Sequence, residues 1–122
     1  MYTLLPCRNP FDVHVYYDGV RERDRAMALR GALCDAMPWM RFMDPIDTPI
    51  GPHPVPMWEA DFAGPENTSR WGEVVAFLEG RHATDGVSIL VHPHTTEGSV
   101  ADHTKHAHWI GQPKQLILAK LK

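Results

Sequence analysis

The chain has 122 residues, a formal net charge of −3, and 43% hydrophobic against 22% charged residues. This is enough for one domain around one core, taken here as residues 1–122, with the balance of an ordinary globular protein. The mild acidity excludes a nucleic-acid or anionic-membrane surface, and no segment nears the roughly 18 apolar residues of a spanning helix. No basic-then-apolar leader opens the chain, and Cys7 and Cys34 form no CxxC pair or framework. Both are therefore expected to be reduced packing residues in a cytoplasmic protein.

Residues 12–17 (DVHVYY) alternate, with Val13, Val15 and Tyr17 on one face and His14 and Tyr16 on the other, which predicts a strand. After a turn at Asp18-Gly19, a stripe of Ala26, Leu29, Leu33 and Met37 predicts a helix over 20–37, stopped by Pro38. Residues 39–44 alternate weakly as a second strand. Pro45, Pro49, Pro52, Pro54 and Pro56 then exclude helix and central strand, and they stiffen the loop that carries His53. Residues 57–62 (MWEADF) predict a third strand, with Met57, Glu59 and Asp61 opposing Trp58, Ala60 and Phe62.

A turn at Gly64-Pro65 leads to a second helix over about 67–82, capped by Asn67 or Thr68 and striped by Trp71, Val74, Val75 and Leu78. His82 falls at its C-terminal end, where the helix dipole favours an imidazole. Residues 87–91 form a short apolar strand, 92–106 a loop or short helical turn, and 115–121 a final strand. The fold class is α+β. The order β-α-β-β-α-β with one added C-terminal strand is that of a ferredoxin-like sandwich. Its helices would cover the Val13/Val15 face and leave the His14/Tyr16 face to a ligand or a partner subunit.

Seven of the eight histidines crowd into a few strings, FDVHVYYD, GPHPVPMWE, LVHPHT and DHTKHAHWIG, and only His82 stands apart. Imidazole is the commonest metal ligand and titrates near neutrality, so the strings predict a metal or acid/base site. In this order and spacing they resemble the DOPA 4,5-dioxygenase family, small proteins that include fungal and bacterial members. The resemblance runs from about residue 11 to 121, and GPHP-x-PM and DHT-x-HA-x-W are its most specific strings. It implies a ferredoxin-like fold, often dimeric, and extradiol cleavage of a catechol such as DOPA by O₂. The metal would be non-haem, normally Fe(II), with Zn²⁺ or another divalent ion as alternatives. His14, His53, His92, His103 and His106 fall on the family's histidine strings, which do not separate ligands from neighbours.

Extradiol chemistry needs a metal with open positions, and two histidines with one carboxylate are the usual solution. Glu59 and Asp61 are the candidate carboxylates, but no string marks either. The expected ligands are therefore His14, His53 and His92, with His103 or His106 as the general base for the catechol hydroxyl. His103 and His106 stand i, i+3, so one helical turn would present both on one face, with Asp102 to orient one of them or to cap the turn. His94 and His108 lie beside the pattern, and Trp58, Trp71 and Trp109 are expected in the core or an interface. The rival reading is a non-catalytic dimeric ferredoxin-like module whose histidines are structural or hold a structural metal; closed four-ligand coordination would mark it.

Overall fold

The strand FDVHVY carries apolar side chains on alternate positions, and MWEADF beside it places Trp58, Ala60 and Phe62 on the matching alternation. In the computed structural model, which describes residues 2–63 and 70–121, the elements are β1 (Phe11–Tyr16), α1 (Val20–Ala36), β2 (Arg41–Phe42), β3 (Met57–Phe62), α2 (Arg70–Asp85), β4 (Ile89–Pro93), α3 (Ser99–His103) and β5 (His108–Ile110). The five strands form one antiparallel sheet in the order β2-β3-β1-β4-β5. Its first four strands are the ferredoxin-like set, and β5 is added on the free edge of β4.

Val13 and Val15 of β1, Trp58, Ala60 and Phe62 of β3, and Ile89 and Val91 of β4 bury one sheet face in a single cluster. Ala26, Leu29 and Leu33 of α1 and Val74, Val75 and Leu78 of α2 pack against it. Trp58 is fully buried, and its indole N–H donates to the Ala26 carbonyl at 2.7 Å, locking β3 to α1. Helix α2 runs to Asp85, three residues past the expected end. Arg81 pairs with Asp85 at 3.1 Å, and Gly86, at φ 66°, closes the helix as only glycine does without strain. The expected Gly64-Pro65 turn and the Asn67 or Thr68 cap lie outside the described residues.

Two strand expectations are corrected. Strand β4 covers 89–93 rather than 87–91, because β1 continues the ladder as far as Phe11 opposite Pro93. Residues 115–121 form no strand. The added strand is His108–Ile110, which takes the β4 edge before Gly111 (φ 81°) and Pro113 break the run. The remainder crosses the proline-rich loop, where the Ile117 N–H donates to the Pro52 carbonyl at 2.8 Å, and ends in a turn at Leu118–Lys120. Cys7 and Cys34 are free thiols and exposed, so neither packs the core. Among the described residues no helix is long and apolar enough to cross a membrane.

Candidate metal centre

The uncovered sheet face carries the other half of each alternation. His14 projects from the middle of β1. His92 lies within β4, opposite Asp12, rather than after the strand. Their Nε2 atoms stand 3.0 Å apart, and both rings are buried. Loops bring two more imidazoles. His53 is held in the proline-rich turn by its N–H donating to Ile50 O, with its ring centroid 4.3 Å from that of His14. His103, the last residue of α3, lies 4.0 Å from the His92 ring. Four of the five histidines named above thus meet at one point.

The hydrogen bonds divide these four into two kinds. His14 Nδ1 faces the Met57 sulfur at 3.2 Å, His92 Nδ1 faces Pro93 O at 2.9 Å, and His103 Nδ1 faces Ser99 O at 2.8 Å. All three partners are acceptors, so each ring can carry its proton on Nδ1 and turn an Nε2 lone pair to the others. One ring nitrogen from each of the three lies within 4.8 Å of the other two. Acceptors behind ligand imidazoles commonly set the tautomer in this way. His53 differs, because its Nδ1 faces the Tyr16 hydroxyl at 2.7 Å. Tyr16 is fully buried, and its O–H has no other acceptor among the described residues. The hydroxyl therefore donates to Nδ1, and the His53 proton sits on Nε2.

Burial governs the electrostatics. Desolvation, then the neighbouring imidazoles, holds His14 well below the usual histidine range. His92 is lowered to about 3 by desolvation and then His103, and His53 to about 4 by the same two causes. All three are neutral at pH 7, as metal ligation requires. The Asp12 carboxylate lies 3.9 and 3.7 Å from the Nε2 atoms of His14 and His92, and these are not ion pairs because both rings are neutral. Its true partner is half-buried His94 at 2.8 Å, whose pKa that hydrogen bond raises. Burial pushes the Tyr16 hydroxyl up and keeps it protonated.

The carboxylates separate as well. Asp61 is taken up by Arg41 and by Asn9 at 2.9 Å. Glu59 lies on the open face within ligand reach of Asp12 and His14, and burial, then Asp12 and Asp61, raises it to about 7. Asp12 is the residue that sequence reasoning missed. Its signal was present, since it shares the parity of His14 in FDVHVYYD.

His106 has other neighbours. Helix α3 ends at His103, so the i, i+3 relation is not helical, and His106 bonds Glu97 at 2.9 Å and lies tilted against the Tyr2 ring. Asp102 orients no imidazole; its buried carboxylate accepts from Thr95 N at 2.9 Å and from the Thr95 hydroxyl, joining α3 to the end of β4. His108 turns to the helices, with Glu79 at 3.4 Å, and His82 ends against Gly111. Trp109 stacks on Tyr16 with centroids 5.8 Å apart. It also lines a cavity of about 290 Å³ with His103, Thr104, Lys114, Gln115 and Leu116.

A ferredoxin-like sheet with converging neutral imidazoles and a carboxylate beside them defines an α+β protein equipped to hold a metal ion. The family model described as the Dopa 4,5-dioxygenase family matches residues 11–120, and the chain belongs to that family. It is similar to an uncharacterized 21.2 kDa protein of Botryotinia fuckeliana, 31% identical over 123 residues. That match covers 94% of this chain but 64% of the relative, so the chain spans under two thirds of the curated relative's length. It is also similar to a crystal structure of a "putative dioxygenase" from Nostoc punctiforme, with TM-score 0.78 and 32% identity over 93% of this chain and 90% of the other.

Proposed function

We propose that the chain is an extradiol ring-cleaving dioxygenase that opens a catechol such as DOPA with O₂ at a histidine-held non-haem metal, Fe(II) in the first instance. The observation that carries this reading is the set of Nδ1 acceptors behind His14, His92 and His103, which leaves three lone pairs converging on one point. These three would hold the metal, and His103 takes the ligand role that the sequence assigned to His53. When bound, the metal supplies a Lewis-acid centre with open positions for the catechol oxygens and O₂.

The remaining residues handle protons and water. His53, its tautomer set by Tyr16, presents an Nε2–H donor to the oxygen charge that develops on the substrate. Asp12 is the nearest carboxylate to the cluster and is hydrogen-bonded to His94, whose side chain is about one third exposed. The pair forms an acceptor and an outward path for the catechol proton. Buried Met57, Leu90 and Tyr16 exclude water on the sheet side. In the overall change both oxygen atoms enter the product and one ring C–C bond beside the hydroxyls breaks. A homodimer in the cytoplasm belongs to the same proposal, and the two free thiols suit a reducing compartment.

The test is reconstitution with Fe(II) without oxygen, then addition of L-DOPA and simpler catechols in air. Coupled oxygen uptake with a yellow ring-opened product is expected. Absence of turnover on every catechol by protein that retains metal would sink the reading. His92→Ala and His103→Ala should lose bound iron, whereas His53→Ala should keep it and lose turnover by about 10²- to 10³-fold, the usual cost of one such donor. Loss of iron from His53→Ala would return it to the ligand set.

A further inference from the structure

The cavity beside the metal centre has a composition that the catechol chemistry does not require. Its walls are His103 and Thr104 at the end of α3, Trp109 on β5, and the tail from Lys114 to Leu118. The tail is fixed over the site by the Ile117–Pro52 hydrogen bond, in the same turn that holds His53. His103 joins the cavity to the imidazole cluster, and the Trp109–Tyr16 stack backs its aromatic wall. At about 290 Å³ it falls at the small end of ligand pockets, the size for a single ring with a short substituent.

Charge is the informative feature. Lys114 is half-buried, lines the cavity, and makes no salt bridge with any described residue. Among the described residues no acidic side chain lines the cavity. The Asp12, Glu59 and Asp61 carboxylates lie out on the sheet face, and Asp61 is already paired with Arg41. A ring seated against Trp109 with its hydroxyls toward His103 therefore meets, among the described residues, one cation and no anion. We infer that the pocket selects catechols bearing an anionic side chain, with Lys114 as the specificity-determining residue. An aliphatic ammonium, as in an amine or an amino acid, finds no partner here and is disfavoured. The inference rests on the catechol reading and narrows its substrate to catechol carboxylic acids.

The experiment measures dissociation constants without oxygen, by quenching of tryptophan fluorescence, for 3,4-dihydroxyphenylacetate, 4-methylcatechol, L-DOPA and dopamine. Turnover of the same four is recorded separately. The expected order is acid, then neutral catechol and zwitterion, then amine, with the acid about 5- to 20-fold tighter than 4-methylcatechol, as for a charge-assisted contact that is partly solvent-screened. Lys114→Met should collapse the acid-to-amine ratio, Lys114→Arg should retain it, and Lys114→Glu should invert it. Equal binding of acid and amine by the unmodified protein, or an unchanged ratio in Lys114→Glu, overturns the inference. Ring opening of all four without preference would leave the dioxygenase standing and remove the selectivity. Selective binding without ring opening would do the reverse.

Discussion

The two faces of the sheet are built by the same strands and serve opposite ends. On the covered face, Val13, Val15, Trp58, Ala60, Ile89 and Val91 pack in one apolar cluster with two helices. On the open face, one residue away along each strand, stand Asp12, His14, Glu59 and His92. The covered face lowers the free energy of folding by removing apolar area from water. The open face raises it, because neutral imidazoles and a reluctant carboxylate are kept out of water there. Alternation with a period of two lets both occupy one sheet, so substitutions can be aimed at either face.

The largest effect is expected from Trp58→Ala, which removes a fully buried ring and its bond to Ala26 and should cost about 3–5 kcal/mol in urea unfolding. A loss under about 1 kcal/mol would contradict the packing argument.

Acid should break the open face next. His14, His53 and His92 all titrate below the histidine reference of 6.5 in the folded chain, His53 at about 4 and His92 at about 3. The unfolded chain thus binds more protons between pH 6.5 and those values, and stability falls as pH falls through that window. Thermal midpoints of metal-free protein from pH 7 to pH 4 measure this, and His92→Gln should flatten the fall. A midpoint that rises toward pH 4 would refute it.

Asp102 joins α3 to the end of β4. Asp102→Ala strands the Thr95 N–H and should cost about 1–3 kcal/mol. Because the end of β4 and α3 carry His92 and His103, metal retention should weaken together with stability. Unaltered metal affinity in a destabilised variant would separate the link from the site.

The smallest effect has the opposite sign. Glu59 titrates at about 7, above its usual 4.5, so the folded chain holds the extra proton between those values and stability declines as pH rises through them. Glu59→Gln should therefore melt higher than the wild type at pH 8 and show no gain below pH 4.5. An equal or lower midpoint at pH 8 would show that the carboxylate is held by a favourable partner.

The strings FDVHVYYD and MWEADF sorted core from site by themselves, because strand alternation is local and needs no knowledge of partners. The stripes of both helices and the ferredoxin-like order were legible from local periodicity in the same way, whereas the gathering of His14, His53 and His92 was implied by the family resemblance of their strings. The final strand was misread because apolar alternation in QLILAKL cannot reveal that HWI already holds the β4 edge. Nor could spacing separate His103 from His106, since that choice depends on where α3 ends. The hydrogen-bond partners of the four imidazoles were decided by tertiary structure alone. His14 and His92 are 78 residues apart and meet through strand pairing, and the acceptors Met57, Pro93 and Ser99 and the donor Tyr16 are placed by the register and loops of the folded chain. An imidazole's chemistry depends on which of its nitrogens holds the proton, and only a neighbour in space determines that.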